Sequence, residues 1–210
     1  MLVTRTSIAK KAIGILGATS IGDITENTKN ASAISDVFFP VLHALLSKHD
    51  WSFGRKKSNL NLLSETPVFG YNNYFQLPND YIRLIKFYPY YYPYKVEGNK
   101  ISSDSDSASI LYIFALQEDD LSLLTPGFVD LFSNALATEV CYKITQSRSL
   151  TADLKENLKK LLIETKSDDS KSAGTPEIEA DDIWMTQRGY GSETIGNVVL
   201  LKDTDYGEVV

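Results

Sequence analysis

Apolar positions recur at helical spacing in four segments of the chain. A period near 3.6 residues marks a helix with one buried face. The pattern predicts helices over residues 6–16, 31–49, 126–146 and 149–171. Pro40 falls inside the second segment, so we expect it to kink that helix or to move its start later, because proline lacks an amide hydrogen and crowds the preceding turn.

Between the second and third predicted helices the pattern changes to short strand-like segments. Residues 59–63 alternate imperfectly, residues 81–87 form a β-branched and aromatic run, and Gly98-Asn99 reads as a tight hairpin turn. Short strands separated by turns favour an antiparallel meander. We therefore predict an α+β, mainly α fold: an antiparallel helical bundle of about four helices, with a small antiparallel β-sheet inserted over about residues 52–116 and an extended C-terminal arm.

Charge divides the chain into two parts. The sequence has 27 acidic and 21 basic residues, of which eight acids and two bases lie in residues 173–210, leaving 19 of each for residues 1–172. The prediction is one domain over residues 1–172 followed by an acidic extended arm over residues 173–210. Neither part has the concentrated basic surface typical of proteins that bind nucleic acid tightly.

Candidate catalytic and metal-binding residues are few. The single cysteine, Cys141, lies in a helical run and is expected to be a small buried residue. The two histidines, His43 and His49, lack cysteine or carboxylate neighbours at metal-ligand spacing. No apolar run approaches the length of a membrane span, and no export signal is expected. The sequence predicts no enzyme, no cofactor and no metal.

A glycine-rich turn offers one alternative. Gly14, Gly17 and Gly22 follow an apolar stretch, as in dinucleotide-binding turns, where backbone amides face a pyrophosphate. Ser20 stands where a third glycine is expected, and the following segment is polar. A small NAD(P)-binding, Rossmann-like protein using residues 14–22 therefore stays open as an alternative. The other interpretation is a helix that ends in a glycine-rich turn.

The densest aromatic cluster is residues 87–94, FYPYYYPY. Tyrosine has a broad apolar ring with a polar tip and is enriched at protein interfaces. The cluster could equally cover a local core. An apolar patch in the acidic arm is a second candidate contact. The predicted interface residues are Tyr90, Tyr91, Tyr92, Val198, Val199, Leu200 and Leu201.

Several short motifs follow one another in a fixed order across residues 5–172. They are the pair Trp51 and Phe53; the run with Leu77, Pro78, Tyr81 and Arg83; the hairpin with Val96, Glu97 and Gly98; and the later elements Leu111, Tyr112, Ile113, Phe128, Asn134, Ile144 and Gln146. In this order and spacing the chain resembles the tail tubular protein A family, the head-to-tail adaptors of short-tailed bacteriophages. Pro40 and the acidic arm depart from that pattern.

The resemblance implies a structural role. Members of the family dock as a ring, here expected to be a homo-oligomer of twelve subunits, under the portal protein. The ring extends the channel through which DNA passes without specific binding, and it offers a platform for the tail nozzle or other tail proteins. The implied location is the virion tail or neck, reached from the host cytoplasm during assembly, with no membrane contact, no catalytic residues and no cofactor. Apart from the resemblance, we expect the N-terminal segment and the acidic arm to reach neighbouring subunits or other proteins. A generic interaction module outside any virion is a third possibility.

Overall fold

The computed structural model describes residues 3–174, together with the backbone of residues 192–195 and 198–201. Four α-helices lie in the first part: α1 (Arg5–Ile15), α2 (Lys29–Leu46), α3 (Pro126–Thr145) and α4 (Arg148–Ser172). Each of the first three begins after a threonine whose hydroxyl accepts a hydrogen bond from a backbone amide of the first turn; these residues are Thr4, Thr28 and Thr125. Such caps satisfy amides that have no partner within the helix.

Helix α2 continues through Pro40. It starts at Lys29, earlier than predicted, and ends at Leu46. Pro40 is exposed, and so is Asp36. In a regular helix the amide of residue 40 would donate to the carbonyl oxygen of Asp36, but proline has no amide hydrogen. Water can therefore solvate the unpaired carbonyl, which lowers the cost of a proline inside a helix.

The helices share one hydrophobic core, which includes Trp51. The Trp51 side chain is fully buried, and its indole nitrogen donates to the carbonyl oxygen of Leu45 at 3.0 Å. Its ring meets that of Phe128 edge-on, with centroids 4.8 Å apart. Burial of aromatic rings with a satisfied indole N–H fixes the end of α2 against the start of α3.

Six strands lie between α2 and α3. They are β1 (Arg55–Leu62), β2 (Asn73–Gln76), β3 (Tyr81–Tyr88), β4 (Tyr94–Glu97), β5 (Lys100–Ser103) and β6 (Ala108–Phe114). Their order in the sheet is β3-β6-β1-β2-β5-β4, and every neighbouring pair is antiparallel. The sheet curls into a nearly closed barrel.

The barrel has its own hydrophobic core. Its fully or nearly fully buried members are Phe75, Leu77, Phe87, Ile101, Ala108, Ile110 and Tyr112. By contrast, Ile113 of β6 belongs to the core shared with the helices. The neighbouring residues Tyr112 and Ile113 of β6 therefore face different cores, as the period of two in a strand requires.

Two β-bulges shape strand β3. Its register against β6 shifts between Tyr81 and Arg83 and again between Leu84 and Lys86. As a result Tyr81, Leu84 and Phe87, spaced by three, pack on the barrel core, while Ile82 and Ile85 pack on the helical core. Each bulge adds a residue and increases bend and twist, which helps a sheet to curl.

The predicted fold class is wrong. The strands do not form a small sheet inserted in a helical bundle; they form a six-stranded, nearly closed, barrel-like sheet. The physical reason is the second core, because a sheet that closes around its own apolar side chains does not depend on the helices for all of its burial.

The chain divides into two compact units, Met1–Ser172 and Ala173–Val210. In the second unit the backbone forms an antiparallel pair of strands, β7 (Ser192–Ile195) and β8 (Val198–Leu201). The extended arm predicted for this segment therefore contains a two-stranded element. None of the helices within the described residues is long and apolar enough to span a bilayer.

Candidate functional site

One end of the barrel is built from three loops. The connections β1–β2, β3–β4 and β5–β6, residues 63–72, 89–93 and 104–107, all leave the sheet at the same end, because their flanking strands are antiparallel and in register. We call this the distal end. The opposite end carries the connections of residues 77–80 and 98–99 and the links to the helices.

Apolar and aromatic side chains protrude from the distal end. Val68 is 95% exposed, Phe69 87%, Tyr91 67% and Tyr90 53%. Scattered exposed apolar residues are normal on a protein surface, but a group at one end indicates an interaction site. These four side chains form the strongest candidate interaction surface of residues 3–174.

Hydrogen bonds hold the distal loops in place. The Asp104 carboxylate accepts from the backbone amide of Asn72 at 2.9 Å and from its side-chain amide at 2.8 Å. The Asn73 side chain donates to the carbonyl oxygen of Ser105, and the Ser103 hydroxyl donates to that of Pro93. The loops are thereby tied to one another and to β5, which lowers the entropy lost when a partner binds.

The three tyrosines predicted as interface residues differ in their surroundings. Tyr90 and Tyr91 are exposed and their rings meet edge-on at 5.5 Å, while Tyr92 is half-buried and packs on the barrel core. The ring centroids of Tyr91 and Tyr92 lie 4.8 Å apart. Tyr92 therefore anchors the loop that presents the other two. The other predicted interface residues, Val198, Val199, Leu200 and Leu201, form β8, and their side chains lie outside the described residues.

Val68 and Phe69 were missed by the sequence reasoning. They sit between Pro67 and Gly70, which has a positive φ of 94° that glycine adopts without strain. The available signal was an apolar pair inside a stretch of turn-forming residues, where no strand or helix could bury it.

The motif residues that carry the resemblance lie mostly at the opposite end of the barrel. Trp51, Phe53 and Phe128 form an aromatic group at the junction with the helices. Arg83 pairs with Asp50 at 3.2 Å. These contacts join the start of the barrel to the end of α2.

The segment with Leu77 and Pro78 forms the turn into β3. Leu77 is buried, and its amide donates to the carbonyl oxygen of Asn99; Pro78 accepts from the amide of Tyr81. The Tyr81 hydroxyl in turn accepts from the amide of Leu84, next to the second bulge. The motif thus sets the turn and the bulge together.

A second contact at this end joins β1 and β6 to the turn before β3 through Asp80. Its carboxylate accepts from the Tyr112 hydroxyl at 2.9 Å and from the Lys56 ammonium at 2.7 Å. Burial acts to raise the pKa of Asp80, but the hydrogen bonds from Lys56 and Tyr112 and the charge of Lys56 outweigh it and lower that pKa. Burial and the same hydrogen bond raise the pKa of Tyr112.

The hairpin residues of the motif have a structural role as well. Gly98 occupies the turn between β4 and β5 with a φ of 63°. Glu97 accepts from the Tyr74 hydroxyl and pairs with Lys95, and these hydrogen bonds lower the pKa of Glu97. Val96, on the same strand, is 39% exposed.

The glycine-rich turn is the end of a helix. Gly14 lies inside α1, and Gly17 follows it with a φ of 62°. The amide of Ala18 donates to the carbonyl oxygen of Ile13, and that of Gly17 to the carbonyl oxygen of Gly14. This is a Schellman cap, in which glycine takes the left-handed position. The described segment before the glycines is helical, so the strand that a dinucleotide-binding turn needs is absent there.

A serine, a histidine and an aspartate meet at the junction, in an order unsuited to nucleophilic catalysis. The buried Asp169 carboxylate accepts from the Ser52 amide at 3.1 Å and from the Ser52 hydroxyl at 2.7 Å. The Nε2 atom of His49 lies 3.4 Å from the Oδ2 atom of Asp169. A catalytic triad requires the histidine between serine and carboxylate, so that it can take the serine proton. Here the carboxylate lies between them, and the group fastens α4 to the start of the barrel.

The remaining candidate residues take part in packing. Cys141 is fully buried in α3, and the Nε2 atom of His43 lies 3.2 Å from the carbonyl oxygen of Leu116. Across the described part of the chain, no three histidine, cysteine or carboxylate side chains are grouped so that they could hold a metal ion.

No protein-family model matches the chain, and no curated protein matches its sequence.

Proposed function

We propose that the protein is a structural virion protein, a head-to-tail adaptor that forms a ring under a phage portal. The observation that carries the proposal is the distal end, where three loops present Val68, Phe69, Tyr90 and Tyr91 to solvent. Such a surface supports assembly with another protein, because burial of these rings on contact provides the main favourable free energy.

The ordered motifs provide the second support. Among the residues that carry the resemblance, Trp51 packs at the junction of the helices with the barrel, whereas Leu77 and Tyr81 pack on the barrel core. Their order along the chain is the reason to treat them as one pattern. In the proposal the helices and this junction form the body of each subunit, and the distal end projects from it.

The proposed partners follow from the ring. They are further copies of the chain in a dodecamer, the portal protein, and the tail nozzle or another tail protein, with DNA passing through the channel without specific binding. The proposed location is the virion tail or neck, after assembly in the host cytoplasm. No observation in the described residues favours the dinucleotide-binding alternative over this one.

Co-sedimentation of the full-length protein with candidate portal rings and with the candidate tail component tests the proposal. We expect the wild-type chain to sediment with both. The double variant F69S/Y91S, which removes two exposed rings, should lose at least one of these partners. The matched control is L123S/I163S, since Leu123 is 48% and Ile163 71% exposed and both lie outside the barrel. Absence of co-sedimentation for the wild type would contradict the adaptor proposal, and full retention by F69S/Y91S would contradict the role of the distal end.

A further inference from the structure

The charged residues within the loops of the distal end are all acidic. Its three loops contain Glu65, Asp104 and Asp106 and no lysine or arginine. Glu65 pairs with Lys100 of β5. Asp104 is bonded only to neutral amide groups of Asn72, and neither it nor exposed Asp106 has a cationic partner within the described residues.

The exposed rings at this end are suited to cationic groups as well as apolar ones. A tyrosine ring attracts a cation at its face, and arginine adds planar stacking to that attraction. Arginine also pairs with a carboxylate through two parallel hydrogen bonds. Tyr90 and Tyr91, with Asp104 and Asp106 in the neighbouring loop, offer both kinds of contact on one surface.

From this combination we infer that the distal end docks an arginine-rich, apolar segment of a partner protein. The inference rests on the proposed function, because it specifies the chemistry of the component that meets the ring. Apolar side chains of the segment cover Val68 and Phe69, and its guanidinium groups reach the two tyrosines and the carboxylates of Asp104 and Asp106. Arginine and aromatic residues are the side chains most enriched at the energetic centre of protein interfaces.

The same charges disfavour other occupants. A nucleic acid backbone needs lysine or arginine to neutralise its phosphates, and the distal loops contain neither. An anionic membrane surface attracts basic segments and would be repelled by these carboxylates. Protein is therefore the class of partner that the distal end fits best.

Fluorescence anisotropy in low-salt buffer tests the inference with the full-length protein. The probes are short labelled peptides of alternating arginine and leucine, lysine and leucine, and glutamate and leucine. We expect the arginine peptide to bind most tightly and the glutamate peptide least. The double variant D104N/D106N keeps the side-chain shape and an acceptor for Asn72, and it should weaken arginine-peptide binding about fivefold to tenfold.

The matched control is D119N/D153N, which removes the same charge from two exposed positions outside the distal end. It should change the affinity less than about twofold. Equal weakening by both double variants, or equal binding of the glutamate and arginine peptides, would overturn the inference. So would binding of a labelled DNA duplex or of phosphatidylcholine vesicles that is lost in F69S. Thermal unfolding of D104N/D106N at the wild-type temperature shows that the fold is intact.

Failure of the peptide-binding inference can be distinguished from failure of the adaptor proposal. Co-sedimentation with portal rings in the absence of peptide binding would retain the adaptor and reject the arginine-rich partner. Peptide binding without portal co-sedimentation would retain the docking chemistry and reject the adaptor.

Discussion

The rings of Phe87 and Tyr94 stack with their centroids 4.8 Å apart, and they join the two edge strands of the barrel, β3 and β4. Phe87 is 4% exposed and Tyr94 42% exposed. No ladder of backbone hydrogen bonds joins these two strands within the described sheet. The side-chain pair therefore closes the barrel where the backbone does not.

Removal of either ring should lower the free energy of unfolding, and removal of the buried ring should lower it more. We expect Phe87→Ala to lower the free energy of unfolding by about 3 kcal/mol through loss of a core ring. Tyr94→Ala should lower it by about 1 kcal/mol, the size of a partly exposed aromatic pair. Chemical denaturation measures both changes. Tyr142→Ala, at a similarly exposed tyrosine on α3, is the control and should change the free energy by about 0.5 kcal/mol or less. An equal effect of Tyr94→Ala and Tyr142→Ala would contradict the closure.

Substitutions at Asp169 and at its neighbour Asp168 test whether Asp169 stabilises the junction between α4 and the barrel. Asp169→Ala leaves the amide and hydroxyl of Ser52 without their acceptor and should cost about 2–3 kcal/mol of unfolding free energy. Asp168→Ala removes an exposed carboxylate paired only with Lys171 and should cost about 0.5 kcal/mol or less. Urea denaturation of the two variants decides between a fastening role for Asp169 and a surface role. Similar midpoints would reject the fastening role.

The contacts of Asp80 predict a dependence of stability on pH. The pKa of Asp80 is lowered in the folded protein, so its contribution to stability is present above the unfolded-state pKa, about 4. That contribution is lost as the pH falls through the lower, folded-state pKa. The difference in unfolding free energy between wild type and Asp80→Asn should therefore shrink as the pH falls below about 4.

Thermal unfolding as a function of pH measures this difference. Lys56→Gln removes the cationic partner of Asp80, and it should reduce the acid-dependent part without abolishing it, because the Tyr112 hydroxyl still donates to Asp80. A difference between wild type and Asp80→Asn that stays constant from neutral pH to pH 2 would contradict the account.

Because Phe69 is exposed, we expect its substitution to weaken docking without lowering the stability of the protein. Phe69→Ser should change the free energy of unfolding by about 0.5 kcal/mol or less, because the ring is already in solvent. Phe75→Ala, in the barrel core, should cost about 3–4 kcal/mol. Differential scanning calorimetry compares the two. A large loss of stability in Phe69→Ser would show that the ring packs within the subunit.

The helices could be predicted from the sequence more closely than the barrel. Helix α3 was expected at residues 126–146 and runs Pro126–Thr145, because a threonine–proline start and a regular apolar face mark it locally. Strand β3 was also expected, from the β-branched and aromatic run of residues 81–87, and it runs Tyr81–Tyr88, but the residues that it turns toward each core could not be predicted. Its two bulges change the spacing of inward residues from two to three, at Tyr81, Leu84 and Phe87, so alternation along the sequence is lost.

Two further features could not be predicted because they depend on which strands pair: the closure of the barrel, and which residues meet at its distal end. Strand β1 is polar over most of its length and pairs with β6, about fifty residues away in sequence. Local pattern carries no information about which strands pair at that distance. The tyrosines at residues 90–92 were singled out from composition, whereas Val68 and Phe69 gained significance only when the topology brought the loops to one end.

Electron microscopy of the full-length protein mixed with its candidate portal tests whether the protein is a head-to-tail adaptor. We predict class averages with a second ring of twelve-fold symmetry, coaxial with the portal and absent from portal alone. Portal rings unchanged by saturating amounts of the protein, with the protein remaining as separate small particles, would contradict it.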